Sequence, residues 1–568
     1  MKNSDFIFSK LKYGLFVHFV HEISCRTDGS QPKNIDETVN DFDVEAFADS
    51  VASMGVEYLI FTAWHAKARP IYPSAVTDKW RGKISPKRDL LGEIIDAITA
   101  RGINMLLYTH PRDGHDFSPE DQIACGWGKN ESAESSSPDI SEFNYNKWNE
   151  YTLELYAELI ERYGKKLCGI YTDGTGPYSK KSHRYENSLQ VIDYLKLRNL
   201  IKSADPSMFM IQNHFGYLFS DDFEMPEAYF HYETDNIQNI GVIPAAQKAL
   251  AFCPFVGNWW PLEKQPRGVD VRRTTPEELA RFTLFNASCT IGGGVCFASG
   301  PYCEGTLWPC GVLETMTELG KILSRYKDSA IDASPSHSYP TVSGDTLASR
   351  GYTFFTESND GKYEYFHIAK PSDKKVFEIP ASADGAKLSS PISLCDGLEI
   401  EKLELVNDKY ILTLKGDFDA VDSVIRFERT APQIHIDVEW INDSDKRLRY
   451  DGDWKYCHLK QEKSTYDALG SFESDYHLST SKGDTIFTYF EGDIVEIYGN
   501  LRNGNGSAKV YIDGIFTKEL CENNADPKNR ALLYSSINLY GGIHTLYIVT
   551  CDDKPFELDA VKIISSDT

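Results

Sequence analysis

Two hydrophobic periods alternate along the first part of the chain. Short runs that are apolar on both faces, such as Lys12 to Val20 (KYGLFVHFV), Val56 to His65 (VEYLIFTAWH), Ile103 to His110 (INMLLYTH) and Cys168 to Asp173, have the pattern of strands buried in a parallel sheet. Met208 to His214, Ala228 to Glu233 and Gly294 to Ser299 continue the series. Between the runs the period changes to that of a helix. Asp43 can cap a helix carrying Val44, Phe47, Val51 and Met54, stopped by Gly55. Asp89 can cap another with Leu91, Ile94, Ile95 and Ile98 on one face, stopped by Gly102. Tyr151 to Tyr163 is amphipathic and closes at Gly164. Thr275-Pro276-Glu277-Glu278 is a capping box with proline at the first helical position, and a further helix is predicted over Leu313 to Leu323.

Repeated strand–helix units imply a parallel sheet covered by helices. Their number and length predict a (β/α)8-like, TIM-type barrel over residues 1–335, with an open doubly wound sheet as the alternative. No GxGxxG follows a strand, which argues against a dinucleotide fold. Further on, the texture becomes all-β. Tyr363 to Ala369 and Tyr410 to Leu414 alternate apolar and polar residues between Gly, Asp and Asn turns, predicting an antiparallel β-sandwich over 336–432. A third unit, 433–568, has strands at Asp493 to Tyr498, Ala508 to Ile512 and His544 to Val549, and Thr430-Ala431-Pro432 is the linker candidate.

Charge narrows the partners. Lys and Arg total 59 against 84 Asp and Glu, a net charge of −25, which disfavours nucleic acid and anionic membrane surfaces. No apolar run is long enough for a membrane span, and the N-terminus lacks the apolar core of a signal peptide, so the chain as given is expected in the cytoplasm. A secreted or periplasmic protein with its leader trimmed would read the same, and homo-oligomerisation stays open. The twelve cysteines form no CxxC pair, so a zinc ribbon is not expected.

The candidate chemistry lies at the carboxyl ends of the first-domain strands: His18, His65, His110, Asp173, His214, Glu233 and Ser299. In a parallel barrel those ends converge on one pocket. Asp173 ends the run Leu167-Cys-Gly-Ile-Tyr-Thr and precedes Gly174, so it fits either a helix cap or a catalytic acid. Trp64, Tyr108, Tyr171, Trp259 and Trp260 sit at or beside the same ends, suited to sugar faces or to packing. His18 and His21, three residues apart, would face opposite sides of a strand, so a metal-binding His pair is not expected.

These segments, in order, resemble the α-L-fucosidases of glycoside hydrolase family 29 over residues 8–325. Lys12-Tyr-Gly-Leu-Phe-Val-His18 resembles KFGIFIHWG, Gly55 to His65 resembles GAKYLVLTAKHHDGF, and Leu106-Leu-Tyr-Thr resembles LYYS. Arg162-Tyr-Gly with Ile170-Tyr-Thr-Asp173-Gly174 resembles RYGP…WFDG, and Pro301-Tyr-Cys-Glu304-Gly305 with Gly311 and Glu314 resembles GPxxxG…E. The resemblance implies a retaining exo-glycosidase with Asp173 as nucleophile and no metal or organic cofactor. Gln212-Asn213-His214-Phe215-Gly216 resembles NDRWG, and Asp222 to Glu227 resembles DFxTPE. Glu227 is therefore the first choice as acid/base and Glu233 the second. His18, Trp64, His65, Tyr108, His110, Tyr171, His214, Trp259 and Trp260 are expected to bind a fucosylated or related carbohydrate. Three positions depart from the pattern: Ala66 for the second His of the pair, His214 for the Arg of NDRWG, and Phe19-Val20 for WG. They point to a related glycone or to a degenerate site. Tyr450 to Trp454, Gly492 to Gly499 and Glu557 to Val561 resemble a galactose-binding-like jelly roll of the carbohydrate-binding type. A glycan-binding protein with an inactive barrel and a metal-dependent hydrolase are the alternatives.

Overall fold

The structure, a computed structural model, describes residues 11–127, 144–173, 192–205, 208–213, 223–224, 227–229, 250–255, 259–261, 268–288, 294–341, 345–382, 385–430, 436–458, 475–536, 539 and 543–566. Nine parallel strands open the chain: β1 (Tyr13–Val17), β2 (Tyr58–Trp64), β3 (Asn104–Thr109), β4 (Gly169–Thr172), β5 (Phe209–Gln212), β6 (Phe223–Glu224), β7 (Glu227–Tyr229), β8 (Leu250–Cys253) and β9 (Val295–Ala298). Their order is β6-β5-β4-β3-β2-β1-β9-β8-β7. The two ends of that order, Glu224 and Glu227, are separated by only two residues in the chain. Such a link spans at most about 10 Å. The two short strands, β6 paired with β5 and β7 with β8, therefore lie close together, and the sheet curls round into a barrel.

The helices on the outside are α1 (Ile35–Asp41), α2 (Val44–Ser53), α3 (Ala75–Arg81), α4 (Leu90–Ala100), α5 (Pro119–Cys125), α6 (Tyr145–Tyr163), α7 (Tyr194–Ala204), α8 (Pro276–Ala287) and α9 (Val312–Ser324). The predicted caps form. Asp43 accepts from the Ala46 N–H, Asp89 from the Gly92 N–H, and Thr275 and Glu278 close the capping box. The α6 helix starts six residues before Tyr151, because Asn144 caps it through the Lys147 N–H. None of the described helices is long and apolar enough to cross a membrane.

Strand parity divides the apolar residues into two cores. Leu15, Val17, Leu59, Phe61, Leu107 and Ile170 face outward and pack with the helical residues Val51, Ile94, Ile98, Leu155 and Leu159. Phe16, Tyr58, Ile60, Leu106, Tyr108, Tyr171, Ile211 and Ala298 fill the barrel. Gly14 makes room for one of them, since a Cβ there would stand 2.2 Å from the Tyr58 ring.

Beyond the barrel the sheets are antiparallel. A five-stranded sheet over 334–429 faces a three-stranded one around Phe355, Phe366, Phe377, Leu412, Ile425 and Phe427. Arg281 on α8 joins this unit to the barrel by donating to the carbonyls of Ala420 and Val421. A six-stranded and a five-stranded sheet over 436–566 enclose Ile486, Ile497, Val510, Ile548, Phe556 and Val561. Trp454 packs half-buried against that last core.

Candidate active site

Asp173 follows directly on β4, and its backbone N–H donates to the Thr109 carbonyl at 2.9 Å. Both of its carboxylate oxygens are held by neighbouring strand ends. The Tyr108 hydroxyl donates to Oδ2 at 2.6 Å, and Asn213 Nδ2 donates to Oδ1 at 2.7 Å. Burial would raise the pKa of this acid. The charge of His110, the Tyr108 bond, the charge of His65 and the Asn213 bond together outweigh burial and leave it below the usual value. Asp173 is thus an ionised carboxylate fixed at the mouth of the barrel.

Three predicted histidines gather around it. The His18 ring lies among Tyr108 (4.6 Å between centroids), Trp260 (5.0 Å) and Trp259 (5.4 Å). Its backbone is pinned by a close approach, because a Cβ on Gly300 would stand 2.5 Å from the His18 carbonyl oxygen. His18 is only 2% exposed, and its Nδ1 has no hydrogen-bond partner among the described residues. Burial, followed by the charge of His65, lowers its pKa well below the ordinary histidine value, so it is neutral at pH 7. A buried neutral imidazole with an open nitrogen is suited to a hydroxyl brought by a ligand.

His65 and His110 stack at 4.9 Å and 15°. Between their Nδ1 atoms lies Asp113, a fully buried residue in the short 3-10 turn after β3. It is 2.9 Å from His110 Nδ1 and 3.3 Å from His65 Nδ1. Burial would lower the pKa of His110, but the carboxylate of Asp113, 2.9 Å away, with the charge of Asp173, raises it to about 9. Burial opposes ionisation of Asp113 as well, and the two histidines reverse this and hold it below the carboxylate range. These three side chains also form the one group among the described residues whose donor atoms, all within 4.8 Å of one another, could hold a metal ion. His65 Nδ1 hydrogen-bonds Asp113, whereas His110 Nδ1 meets it as an ion pair and makes no hydrogen bond among the described residues.

Two expectations change. Trp64 is not a pocket residue. The β2–β3 register slips between Thr62 and Trp64, so the extra residue turns Trp64 to the outer face opposite Thr109. There it packs edge-on against Tyr156 of α6 at 5.1 Å and is 2% exposed. The same slip turns His65 inward. Tyr171 does face inward, but it lies two residues below Asp173, stacked on Tyr108 at 5.6 Å and fully buried as barrel filling. His21, as its spacing predicts, lies elsewhere, with Nδ1 2.7 Å from Thr38 Oγ1. Sequence reasoning missed Asn213 as a partner of Asp173, although it follows β5 just as Asp173 follows β4. It also missed Asp113.

Of the two acid/base candidates, Glu227 is placed by its backbone only. It opens β7 opposite Ala251 and lies three residues past Glu224, which shares a ladder row with Gln212 and Thr172. Asp173 is one residue past that row, so Glu227 and Asp173 are displaced from it in the same, carboxyl-ward direction. Glu233 and His214 lie outside the described residues. A separate open groove, lined by Phe42, Glu45, Arg88 and Arg101, lies in the helical layer, and its charges are paired with each other.

Comparison with known proteins agrees with this geometry. Seventy-four residues are 34% identical to a putative alpha-L-fucosidase of Caenorhabditis elegans, covering 13% of this chain and 15% of that protein. Seventy-two residues are 38% identical to the tissue alpha-L-fucosidase of Rattus norvegicus, covering 12% and 16%. The chain therefore spans about one sixth of the length of the curated relatives it matches. Among solved structures, an alpha-L-fucosidase of Vibrio sp. strain EJY3 superposes with a TM-score of 0.52 at 14% identity, over 100% of this chain and 98% of that one. A Bacteroides thetaiotaomicron alpha-L-fucosidase, a trapped covalent intermediate with 2-fluoro-fucosyl fluoride, gives 0.52 at 17% identity, over 75% and 96%. At these identities the likeness is one of fold. Residues 35–324, just over half of the chain, match the family model described as Alpha-L-fucosidase, and the chain belongs to that family.

Proposed function

We propose that this protein is a retaining exo-glycosidase that removes terminal α-L-fucose, or a closely related sugar, from glycans. The observation that carries the reading is Asp173, ionised and clamped by Tyr108 and Asn213 at the barrel mouth beside His18, His65 and His110. The covalent intermediate named for the Bacteroides relative supports a double displacement.

In the first step an Asp173 oxygen attacks the anomeric carbon. The glycosidic C–O bond breaks, and its electron pair leaves with the aglycone oxygen, which takes the proton of Glu227. In the second step Glu227 removes a proton from water, the water oxygen attacks the same carbon, and the bond to Asp173 breaks. Glu233 is the second candidate for the Glu227 role. Retention calls for a carboxyl separation of about 5–5.5 Å. His18, His65, His110 and His214 would hold hydroxyls, and Trp259 or Trp260 would cover an apolar sugar face. The reaction as written needs no cofactor.

The test is a panel of aryl glycosides (α-L-fucoside, α-L-galactoside, β-D-galactoside, α-L-arabinoside) with the product anomer read by NMR. Retained configuration on the fucoside or α-L-galactoside is expected. Asp173→Ala should abolish turnover, and azide should restore Asp173→Gly with a glycosyl azide as product. Full activity in Asp173→Ala would overturn the assignment. An inverted product would do the same for the mechanism.

A further inference from the structure

We propose that Asp113 is the positioning residue of the sugar site: one buried carboxylate accepts the Nδ1–H of His65 and stands 2.9 Å from His110 Nδ1 as its ion-pair partner, and thereby presents the opposite edge of each stacked ring to neighbouring hydroxyls of the glycone beside Asp173. This rests on the functional reading above and adds to it a residue that touches no substrate. The geometry carries it. Asp113 has no exposed side-chain surface, whereas the side chains of His65 and His110 are 20% and 15% exposed. The carboxylate is therefore sealed beneath the rings, and only the rings reach the pocket. The two rings come from different strands, β2 and β3, and nothing in the sequence couples their orientation. Near-parallel stacking at 15° beside one shared carboxylate does so. With Nδ1 of each ring turned toward Asp113, hydrogen-bonded from His65 and ion-paired from His110, Nε2 is the edge left for a ligand.

His110 faces Asp113, Asp173 and Arg112, His18 feels His65, Asp173 and His110, and Asp173 feels His110 and His65. The charge of His110 favours the ionised form of Asp173. Asp113 thus orients the sugar and helps to keep Asp173 ionised.

Asp113→Asn separates this role from simple packing. The amide keeps the shape but carries no charge and turns one oxygen into a donor, so it can no longer act as the anion beside His110. The full chain, labelled with 15N-histidine, is compared as wild type and Asp113→Asn, with His65→Gln and His110→Gln identifying the two resonances. The expected result is a changed tautomer or protonation state for at least one of these rings. On aryl α-L-fucoside, kcat/KM should fall about ten-fold or more, most of it in KM, with Asp113→Glu restoring part of the loss. Unchanged imidazole spectra, or an unchanged KM in Asp113→Asn, overturn the proposal. So does loss of wild-type activity on EDTA dialysis with recovery on added Zn2+, which would make Asp113 a cation ligand. If the wild type cleaves no glycoside, the functional reading fails, and the spectra still decide the role of Asp113.

Discussion

The Tyr108 hydroxyl donates to Asp173 Oδ2 across 2.6 Å, tying the carboxyl end of β3 to the acid that follows β4. The bond favours the ionised acid and counts among the forces that lower the Asp173 pKa. A depressed pKa keeps the carboxylate charged down to lower pH, so removing the bond moves the acid limb of the rate profile upward. Tyr108→Phe should therefore shift the acid limb of kcat/KM to higher pH. A hydrogen bond to a charged group is worth roughly 1.5–3 kcal/mol, so a loss of about 10- to 100-fold is expected. Superimposable pH profiles for the two proteins would remove Tyr108 from this role.

Asn213 holds the other oxygen, and its chemistry can be inverted without changing its size. Asn213→Asp would put a second carboxylate where the amide now donates at 2.7 Å. Two carboxylates this close do not both ionise readily, so one pKa rises. Near-complete loss of activity at neutral pH is expected. Asn213→Ala, which removes one bond and adds no charge, should retain more activity at every pH. The ordering of the two variants in kcat is the measurement. Asn213→Asp matching or exceeding Asn213→Ala would contradict the account.

Much of the barrel was legible because its strands are apolar on both faces and its helices begin at Asp43, Asp89 and Thr275, residues that do cap them. The β8 strand was not, because Leu250–Cys253 is four residues long and Pro254 follows it at once. Strand-end position located His18, His65, His110 and Asp173, since period-2 alternation and parallel closure suffice to bring such residues together. It failed at Trp64, where a one-residue slip against β3 reverses which side chain points inward. Asp113 had no local signal. Its importance comes from two imidazoles that meet only once β2 and β3 pair.

That reversal at Trp64 separates stability from binding. Trp64 is packed against Tyr156 under α6, whereas Trp260 is half-buried beside His18 and His65 at 5.0 and 5.8 Å. Trp64→Ala should cost roughly 3–5 kcal/mol of stability, as large core truncations do. Its KM should stay near wild type wherever the protein remains folded. Trp260→Ala should raise KM with a far smaller fall in Tm. Thermal melts and steady-state kinetics on both variants check this, and an elevated KM in folded Trp64→Ala would return that residue to the pocket.

His18 and His110 make stability respond to pH in opposite senses. The His110 pKa is raised from 6.5 to about 9, so its contribution is fully present below about pH 6.5 and is lost as pH rises through 9. The His18 pKa is lowered, so the unfolded chain takes up a proton near pH 6.5 that the folded protein refuses, and stability falls as pH drops below that value. Between pH 7 and 9 the wild type should lose more Tm than His110→Gln, at ~2–4 °C per kcal/mol for a domain of 150–250 residues. Between pH 7 and 5 it should lose more Tm than His18→Gln. Melting curves at unit pH intervals resolve the two windows. Parallel Tm profiles for wild type and His110→Gln between pH 7 and 9 would show that Asp113 does not hold His110 in its charged form.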